Sequence, residues 1–187
     1  IYWNGTFSDV QWSDDGERLF FVSVSRDHKH VVLREANPVT GAVRDILEET
    51  EENFFNLNYR AWNWVVLPRR NEVLWYSQRD DWAHLYRYDL RNGKLKGRVT
   101  KGDWNVLEVL RVDEESGTIT FIGNGREKGD PYFEHLYTVR LDGKGLKRLT
   151  PDSAHHQVSL SPSGRYVVIS ASTPTTPPVT VLRDLSG

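Results

Sequence analysis

The sequence predicts an all-β fold made of about four repeated units of four short strands each. Three observations lead to this prediction: a phrase that occurs twice, a composition that suits strands, and turns at matching positions. Residues 84–86 and 135–137 both read His-Leu-Tyr, and each copy closes on an apolar residue followed by Thr100 or Thr150. A repeat of about 50 residues indicates one supersecondary unit used several times.

The composition favours strands and excludes several classes of protein. Aromatic residues make up 12% of the 187 residues, with seven tryptophans, and valine is common while alanine is scarce. Such residues suit pleated, half-buried strands better than helices. A net charge of -2 gives no electrostatic case for nucleic acid, and no apolar run is long enough to span a membrane. Without cysteine, disulfides and thiolate metal sites are excluded.

The chain opens at Ile1 and contains no methionine. We therefore expect it to be a segment of a longer protein, and the part that performs the chemistry to lie elsewhere. The repeat divides it into units at about 7–50, 51–100, 101–150 and 151–187, within one partial domain over 1–187.

The strands of each unit alternate with turns rich in Gly, Asp, Asn and Ser, which supply positive φ or satisfy the turn backbone. The predicted strands are 9–13, 19–23, 31–33 and 43–47 in the first unit, 64–67 and 73–77 in the second, 109–112 and 119–123 in the third, and 158–161, 166–170 and 179–182 in the fourth. Four short strands per unit is the pattern of a β-propeller blade. The fourth unit has only three strands.

Residues 44–52 allow two interpretations. Their Glu and Leu residues favour a helical turn, whereas the repeat requires a closing strand followed by a hydrated acidic loop, and we prefer the strand. The acidic run 48–52 could also hold a cationic group such as a peptide amino terminus, although a hydrated loop is the simpler interpretation.

Two segments depart from the repeat. An aromatic loop occupies 53–62, and an insertion occupies 123–133 between the second and third strands of the third unit. Departures from a repeat fall in loops, where such folds place their binding groups. We therefore expect any substrate contact to come from these two segments.

No catalytic motif is present. The sequence has no Gly-x-Ser-x-Gly and no phosphate-binding loop, and Gly123-Asn124-Gly125 lacks the third glycine of a dinucleotide site. His28 and His30 could share a metal ion if they lay on one strand, but no acidic partner has a suitable spacing, so we expect no metal or cofactor. The two histidines of the repeated phrase are expected to donate a ring N–H to a turn carbonyl. The tryptophans are expected to pack within the blades.

Several stretches together resemble a known family. Residues 75–86, 100–106 and 160–166 are similar to the blade signature of the dipeptidyl peptidase IV-type N-terminal propeller of the prolyl oligopeptidase superfamily, and 125–133 is similar to its bacterial branch. The resemblance implies an eight-bladed propeller that covers an α/β-hydrolase domain with a Ser-Asp-His triad. The parent would be a serine exopeptidase that removes dipeptides from peptide N-termini, in the periplasm or secreted.

The resemblance also implies what this chain does. It would hold the C-terminal half of the propeller, with no triad and without the family's paired glutamates, so it would not be an enzyme alone. It would gate and line the substrate chamber, and peptide substrate would react in the missing hydrolase domain. Family members bring an aromatic residue and an arginine to the substrate from the aromatic loop, which matches Phe55 or Tyr59 with Arg60. Arg126 in the insertion is a further candidate for substrate binding.

A different class of function stays open: a protein-binding or assembly propeller with no peptidase role. Either way, about four blades form an open arc that exposes faces a closed ring would bury. We therefore expect this chain to associate with itself, for instance as two arcs that complete one ring.

Overall fold

The chain folds into antiparallel β-sheets, as the sequence predicts. The structure, a computed structural model, describes residues 10–55 and 64–185. In these ranges it has four sheets and one short 3-10 helix. None of the described helical segments has the length and apolar character needed to cross a bilayer. The all-β prediction is confirmed, and four sheets of this kind are what part of a propeller would contain.

The chain divides into two compact units, and the first is Ile1–Arg98. It contains two four-stranded sheets in which each strand pairs with the next one along the chain. Sheet 1 consists of β1 (Val10–Trp12), β2 (Leu19–Val24), β3 (His30–Ala36) and β4 (Val43–Thr50). Sheet 2 consists of β5 (Trp64–Leu67), β6 (Glu72–Ser77), β7 (His84–Asp89) and β8 (Leu95–Arg98).

The second unit is Val99–Gly187, and it contains one four-stranded and one three-stranded sheet, again with consecutive pairing. Sheet 3 consists of β9 (Asn105–Asp113), β10 (Thr118–Asn124), β11 (Glu134–Arg140) and β12 (Lys147–Arg148). Sheet 4 consists of β13 (His155–Leu160), β14 (Tyr166–Thr173) and β15 (Thr176–Asp184). The three-stranded fourth unit is thus confirmed. The prediction of a single domain over 1–187 stays a prediction.

Serine side chains close the first hairpin of sheets 1 and 4 in the same way. Ser13 Oγ accepts a hydrogen bond from the Arg18 amide at 2.9 Å, and Ser161 Oγ accepts one from the Tyr166 amide at 3.0 Å. A serine that bonds across a turn replaces the ladder bonds the turn lacks. If Ser13 is matched with Ser161 along the sequence, Phe20 of β2 corresponds to Val168 of β14.

Each unit has an apolar core shared by its two sheets. In the first unit, fully buried residues of β2 and β3 pack with aromatic and aliphatic residues of sheet 2, including Phe20, Leu33, Trp75 and Tyr86. In the second unit, Ile122 and Leu136 of sheet 3 pack with Val167 and Ile169 of sheet 4. Alternate residues along a strand point to opposite faces, which is why every second residue enters these cores.

Two details differ from the sequence-based boundaries. The strand predicted over 43–47 continues to Thr50, so the preference for strand over helical turn is confirmed, and the predicted acidic loop begins later than expected. The last strand begins at Thr176, earlier than predicted, and includes Pro177 and Pro178. Proline cannot donate a ladder hydrogen bond, but an edge strand needs donors on one side only, and β15 lies at the edge of sheet 4.

Candidate functional site

The repeated phrase lies at the start of the third strands of sheets 2 and 3, where His84 is the first residue of β7 and His135 the second residue of β11, and both histidines are buried. His84 is 0% exposed and His135 is 3% exposed. The ring Nδ1 of His135 lies 3.2 Å from Thr150 Oγ1, and the same oxygen accepts the Leu136 amide at 3.1 Å. The structural role predicted for His135 is therefore confirmed, but the predicted partner was wrong. The ring bonds the hydroxyl of the closing threonine, because that side chain lies beside the phrase in the folded blade.

A cluster of four polar residues surrounds the tyrosine of the first copy. The Tyr86 hydroxyl donates a hydrogen bond to Asp80 Oδ2, and Arg98 Nη1 forms an ion pair with the same carboxylate oxygen at 2.9 Å. The guanidinium carbon of Arg79 lies 4.6 Å from the centre of the tyrosine ring, in a cation–π contact. Burial of Tyr86 and its bond to Asp80 raise the pKa of the phenol well above its usual range. We call Arg79, Asp80, Tyr86 and Arg98 the first cluster.

The tyrosine of the second copy has the same surroundings. The Tyr137 hydroxyl donates to Glu127 Oε1 at 3.1 Å, and Arg148 Nη1 lies 3.2 Å from Glu127 Oε2. The guanidinium carbon of Arg126 lies 5.9 Å from the ring centre, and its Nη1 donates to Glu127 Oε1 at 2.7 Å. Burial alone would raise the pKa of Glu127, but hydrogen bonds from Arg126 and Tyr137 and the charge of Arg148 lower it. We call these four residues the second cluster.

Sheet 1 has no tyrosine at this position and no such cluster among its described side chains. Val32 occupies the place of the tyrosine, and Asp27, which follows Arg26 before the strand, bonds Ser25 Oγ at 2.6 Å and the Lys29 amide at 3.3 Å. The clusters therefore accompany the tyrosine. Because the same polar cluster occurs at matching positions of two blades, we interpret it as part of the blade structure.

A buried carboxylate joins the two sheets of the first unit. Glu49 on β4 is 8% exposed and accepts hydrogen bonds from Trp75 Nε1 at 2.7 Å and Arg79 Nη2 at 2.7 Å. Ser77 Oγ donates to its other oxygen. The interpretation of residues 48–52 as a hydrated loop is therefore wrong for Glu49, because the neighbouring sheet covers it. Its partners are 26 to 30 residues away in sequence, so no local pattern could reveal them.

Two histidine rings pack together in the second unit. The ring centres of His135 and His156 are 5.0 Å apart, and His156 Nδ1 lies 2.9 Å from the Glu134 carbonyl oxygen. Burial and the neighbouring His156 lower the pKa of His135 to about 4, and burial also lowers the pKa of His156. Among the residues that the structure describes, no three His, Asp or Glu side chains could hold a metal ion together.

The aromatic loop is only partly within the described residues. Phe55 is 3% exposed; its ring centre lies 6.4 Å from that of Trp75, and its amide donates to the His28 carbonyl at 2.6 Å. Phe54 is 48% exposed and stacks on His28 at 5.2 Å, a contact that sequence reasoning missed. His28 sits at a turn with a φ of 57°, not on a strand as the shared-metal argument required.

The four predicted substrate-binding residues thus do not form one site among the residues that the structure describes. Phe55 belongs to a core, Arg126 belongs to the second cluster, and Tyr59 and Arg60 lie outside the described residues. Their role in substrate binding stays a prediction. The clusters were missed by sequence reasoning, although a signal exists: an arginine–acid pair precedes each His-Leu-Tyr, and an arginine stands two residues before each closing threonine.

Repeated antiparallel sheets with matching polar clusters define the class: part of a blade-repeat, propeller-type protein. Comparison with known proteins agrees with this class. Residues 4–178 match the model of the dipeptidyl peptidase IV (DPP IV) N-terminal region. The chain is 35% identical over 177 residues to a dipeptidyl peptidase 4 of Arthroderma otae, covering 91% of this chain and 20% of that protein. It is 33% identical over 103 residues to dipeptidyl peptidase 4 of Trichophyton rubrum, covering 54% of this chain and 13% of that protein.

A solved structure shows the same fold. The crystal structure of Porphyromonas gingivalis dipeptidyl peptidase 4 superposes with a TM-score of 0.80 and 20% sequence identity, over 95% of this chain and 24% of that one. The chain therefore belongs to the dipeptidyl peptidase IV N-terminal region family. It spans about a fifth of the length of the Arthroderma otae relative.

Proposed function

We propose that the chain is a non-catalytic part of a serine dipeptidyl peptidase, in which it gates and lines the chamber that leads peptides to a separate α/β-hydrolase domain. The observation that supports this most is the match of residues 4–178 to the N-terminal region of the family. The sequence contains no Gly-x-Ser-x-Gly, so the nucleophile would come from another part of the parent protein.

The parent reading frame provides the first test. The gene is sequenced on both sides of this segment, and the complete product is assayed for release of dipeptides from chromogenic substrates with proline or alanine in second position. We expect a hydrolase domain with a nucleophile elbow and measurable dipeptide release. A complete product with neither, purified in a stable complex with another protein, would instead support the assembly propeller.

The lining role is tested with variants of the complete product. Arg60→Ala is expected to raise KM with little change in kcat, because a contact made equally in the ground and transition states affects binding alone. Arg69→Ala, an exposed arginine in the 3-10 helix Pro68–Arg70, is the matched control. Equal kinetics for both variants would remove Arg60 from the substrate chamber.

A further inference from the structure

An open cleft lies beside the second cluster, within the second unit. Its volume is about 580 Å³, and it is lined by Arg126, Glu127, Lys128, Arg148, Pro151 and Ser153. The insertion that interrupts the repeat provides one wall, and the segment after β12 provides the other. The cleft thus combines blade residues with a loop that the other sheets lack.

The charges in this cleft do not balance. Three cationic side chains face one carboxylate, because Glu127 is shared between Arg126 at 2.7 Å and Arg148 at 3.2 Å. Lys128 is exposed and makes no ion pair with any residue in the described ranges 10–55 and 64–185. The lining residues therefore carry a formal surplus of two positive charges in a concave surface, which attracts anions.

The first cluster shows that a blade can form this arrangement without an excess of positive charge. There each arginine has its own carboxylate: Arg79 pairs with Glu49 at 2.7 Å, and Arg98 pairs with Asp80 at 2.9 Å. The same tyrosine-centred arrangement is thus built with balanced charges in one blade and with excess cations in the other. Packing explains the four shared positions, but it does not explain Lys128.

The two arginines of the cleft are held in place before any ligand arrives. Arg148 Nη2 donates to the Pro151 carbonyl at 2.9 Å while its Nη1 contacts Glu127, and Arg126 rests on the Tyr137 ring. A guanidinium has five N–H donors, so both arginines keep donors for a ligand. The insertion also approaches Ser153 closely: a Cβ added to Gly129, which has a φ of +112°, would lie 3.3 Å from Ser153 Oγ. Fixed side chains lose little entropy on binding.

We propose that this cleft binds an oxyanion, a carboxylate or a phosphate group, through Arg126, Lys128 and Arg148. Arginine forks suit the two oxygens of such a group, and the Ser153 hydroxyl provides a further donor on the opposite wall. The inference stands whether or not the parent protein is a peptidase, since it uses only the charges and contacts of the second unit.

Calorimetric titration of the chain tests the proposal, with inorganic phosphate in one arm and succinate in the other, at constant ionic strength set with sodium chloride. We expect saturable binding in at least one arm, weakened about tenfold or more by Lys128→Glu. Lys144→Glu makes the same charge change at an exposed residue that does not line the cleft and should leave the affinity unchanged. Arg148→Gln should likewise weaken binding about tenfold or more.

The outcomes separate the possible ligands. Binding of both probes indicates a general oxyanion site, whereas binding of one alone identifies phosphate or carboxylate as its target. Two results would overturn the proposal: no saturable heat with either probe, or affinity that K128E and R148Q leave at the level of K144E. Circular dichroism of each variant shows whether a lost affinity reflects a lost fold.

Discussion

Glu49 illustrates how a single side chain can look exposed in sequence and be buried in the fold. It is one of four glutamates within residues 48–52, yet its carboxylate is covered by Trp75 of the adjacent sheet and by Arg79, which follows that strand. A buried carboxylate is tolerated only when it is paired and hydrogen-bonded, and here three donors satisfy it. Removing its charge would leave Arg79 without its counter-ion.

We expect Glu49→Gln to destabilise the chain by about 2 kcal/mol or more, because breaking one side of a buried ion pair leaves an uncompensated charge. Glu48→Gln is the matched control. The Glu48 side chain is exposed and its carboxylate pairs with His30 at 3.3 Å, so its change should stay within about 0.5 kcal/mol. Urea unfolding followed by tryptophan fluorescence measures both, and equal midpoints would contradict the buried network.

The histidine pair predicts a pH dependence of stability. In the unfolded chain an imidazole has a pKa near 6.5, but burial and the neighbouring His156 lower the pKa of folded His135 to about 4. Between these values the unfolded chain binds more protons, so stability falls as the pH drops from about 6.5 to about 4, and above pH 6.5 the effect vanishes.

The change in stability due to His135 should be at most about 1.4 kcal/mol per pH unit in that window. Urea midpoints measured from pH 7.5 down to 4.5 should therefore decline less steeply for His135→Gln than for the unchanged chain. His155→Gln provides the comparison, because His155 precedes His156 in β13 and its side chain points to the opposite face of that strand. Identical slopes for H135Q and the unchanged chain would refute the assignment.

At the scale of elements, the two tyrosine clusters predict matched effects in two blades. Tyr86→Phe and Tyr137→Phe each delete one hydroxyl that donates to a carboxylate, and each should cost about 1 kcal/mol of unfolding free energy. Tyr132→Phe, at a side chain 80% exposed, should cost almost nothing. A large cost in one blade and none in the other would show that the clusters do not share a role.

Two glycines in hairpin turns of the first unit provide a more closely matched pair of variants. Gly41 and Gly93 occupy equivalent turns with φ near +70°, but a Cβ on Gly41 meets nothing within 4 Å, whereas one on Gly93 would lie 1.9 Å from the Ile46 carbonyl oxygen. Both alanine variants incur the cost of the left-handed backbone, about 1 kcal/mol. Gly93→Ala should cost about 2 kcal/mol more, because the β7–β8 turn must move away from sheet 1.

Thermal and urea unfolding of the two variants isolate that contact, since the backbone cost cancels in the difference. Equal stabilities for G41A and G93A would mean that the turn does not touch sheet 1.

The sequence predicts the strands well because alternation and turn residues are local signals. The serines of the turns, the strand predicted over 43–47 and the three-stranded fourth unit all follow from such patterns, whereas the extension of that strand to Thr50 does not. The site is less predictable, since its contacts join distant positions: Glu49 with Arg79, or Glu127 with Arg148. The partner of His135 was missed for the same reason. The threonine hydroxyl becomes its neighbour only once β11 and the end of the blade lie side by side.

At the scale of the whole molecule, we propose that the chain self-associates head to tail. Val168 of sheet 4 is 41% exposed and Leu182 is 69% exposed, although the equivalent of Val168 in sheet 1, Phe20, is fully buried beneath sheet 2. Sheet 1 exposes Trp12 at 53%. If the exposed apolar residues of sheet 4 pack against sheet 1 of another copy, the contact joins two different surfaces, and such a heterologous contact closes into a ring or continues as a filament.

Sedimentation velocity at micromolar concentration should show species larger than a monomer, and Leu182→Glu should shift the distribution towards monomer. Thr176→Glu, an exposed change at the far end of β15, should do so less. A single monomeric species for the unchanged chain would contradict self-association.

The order of strands has a consequence for how the protein is made. Within residues 10–55 and 64–185, each sheet joins strands that follow one another in the chain, and none of these strands comes from a distant segment. Each blade can therefore form soon after its last strand leaves the ribosome, and the growing chain adds blades in succession. If synthesis pauses or stops early, the blades already made would be complete, and only the apolar face that the next blade covers would stay exposed.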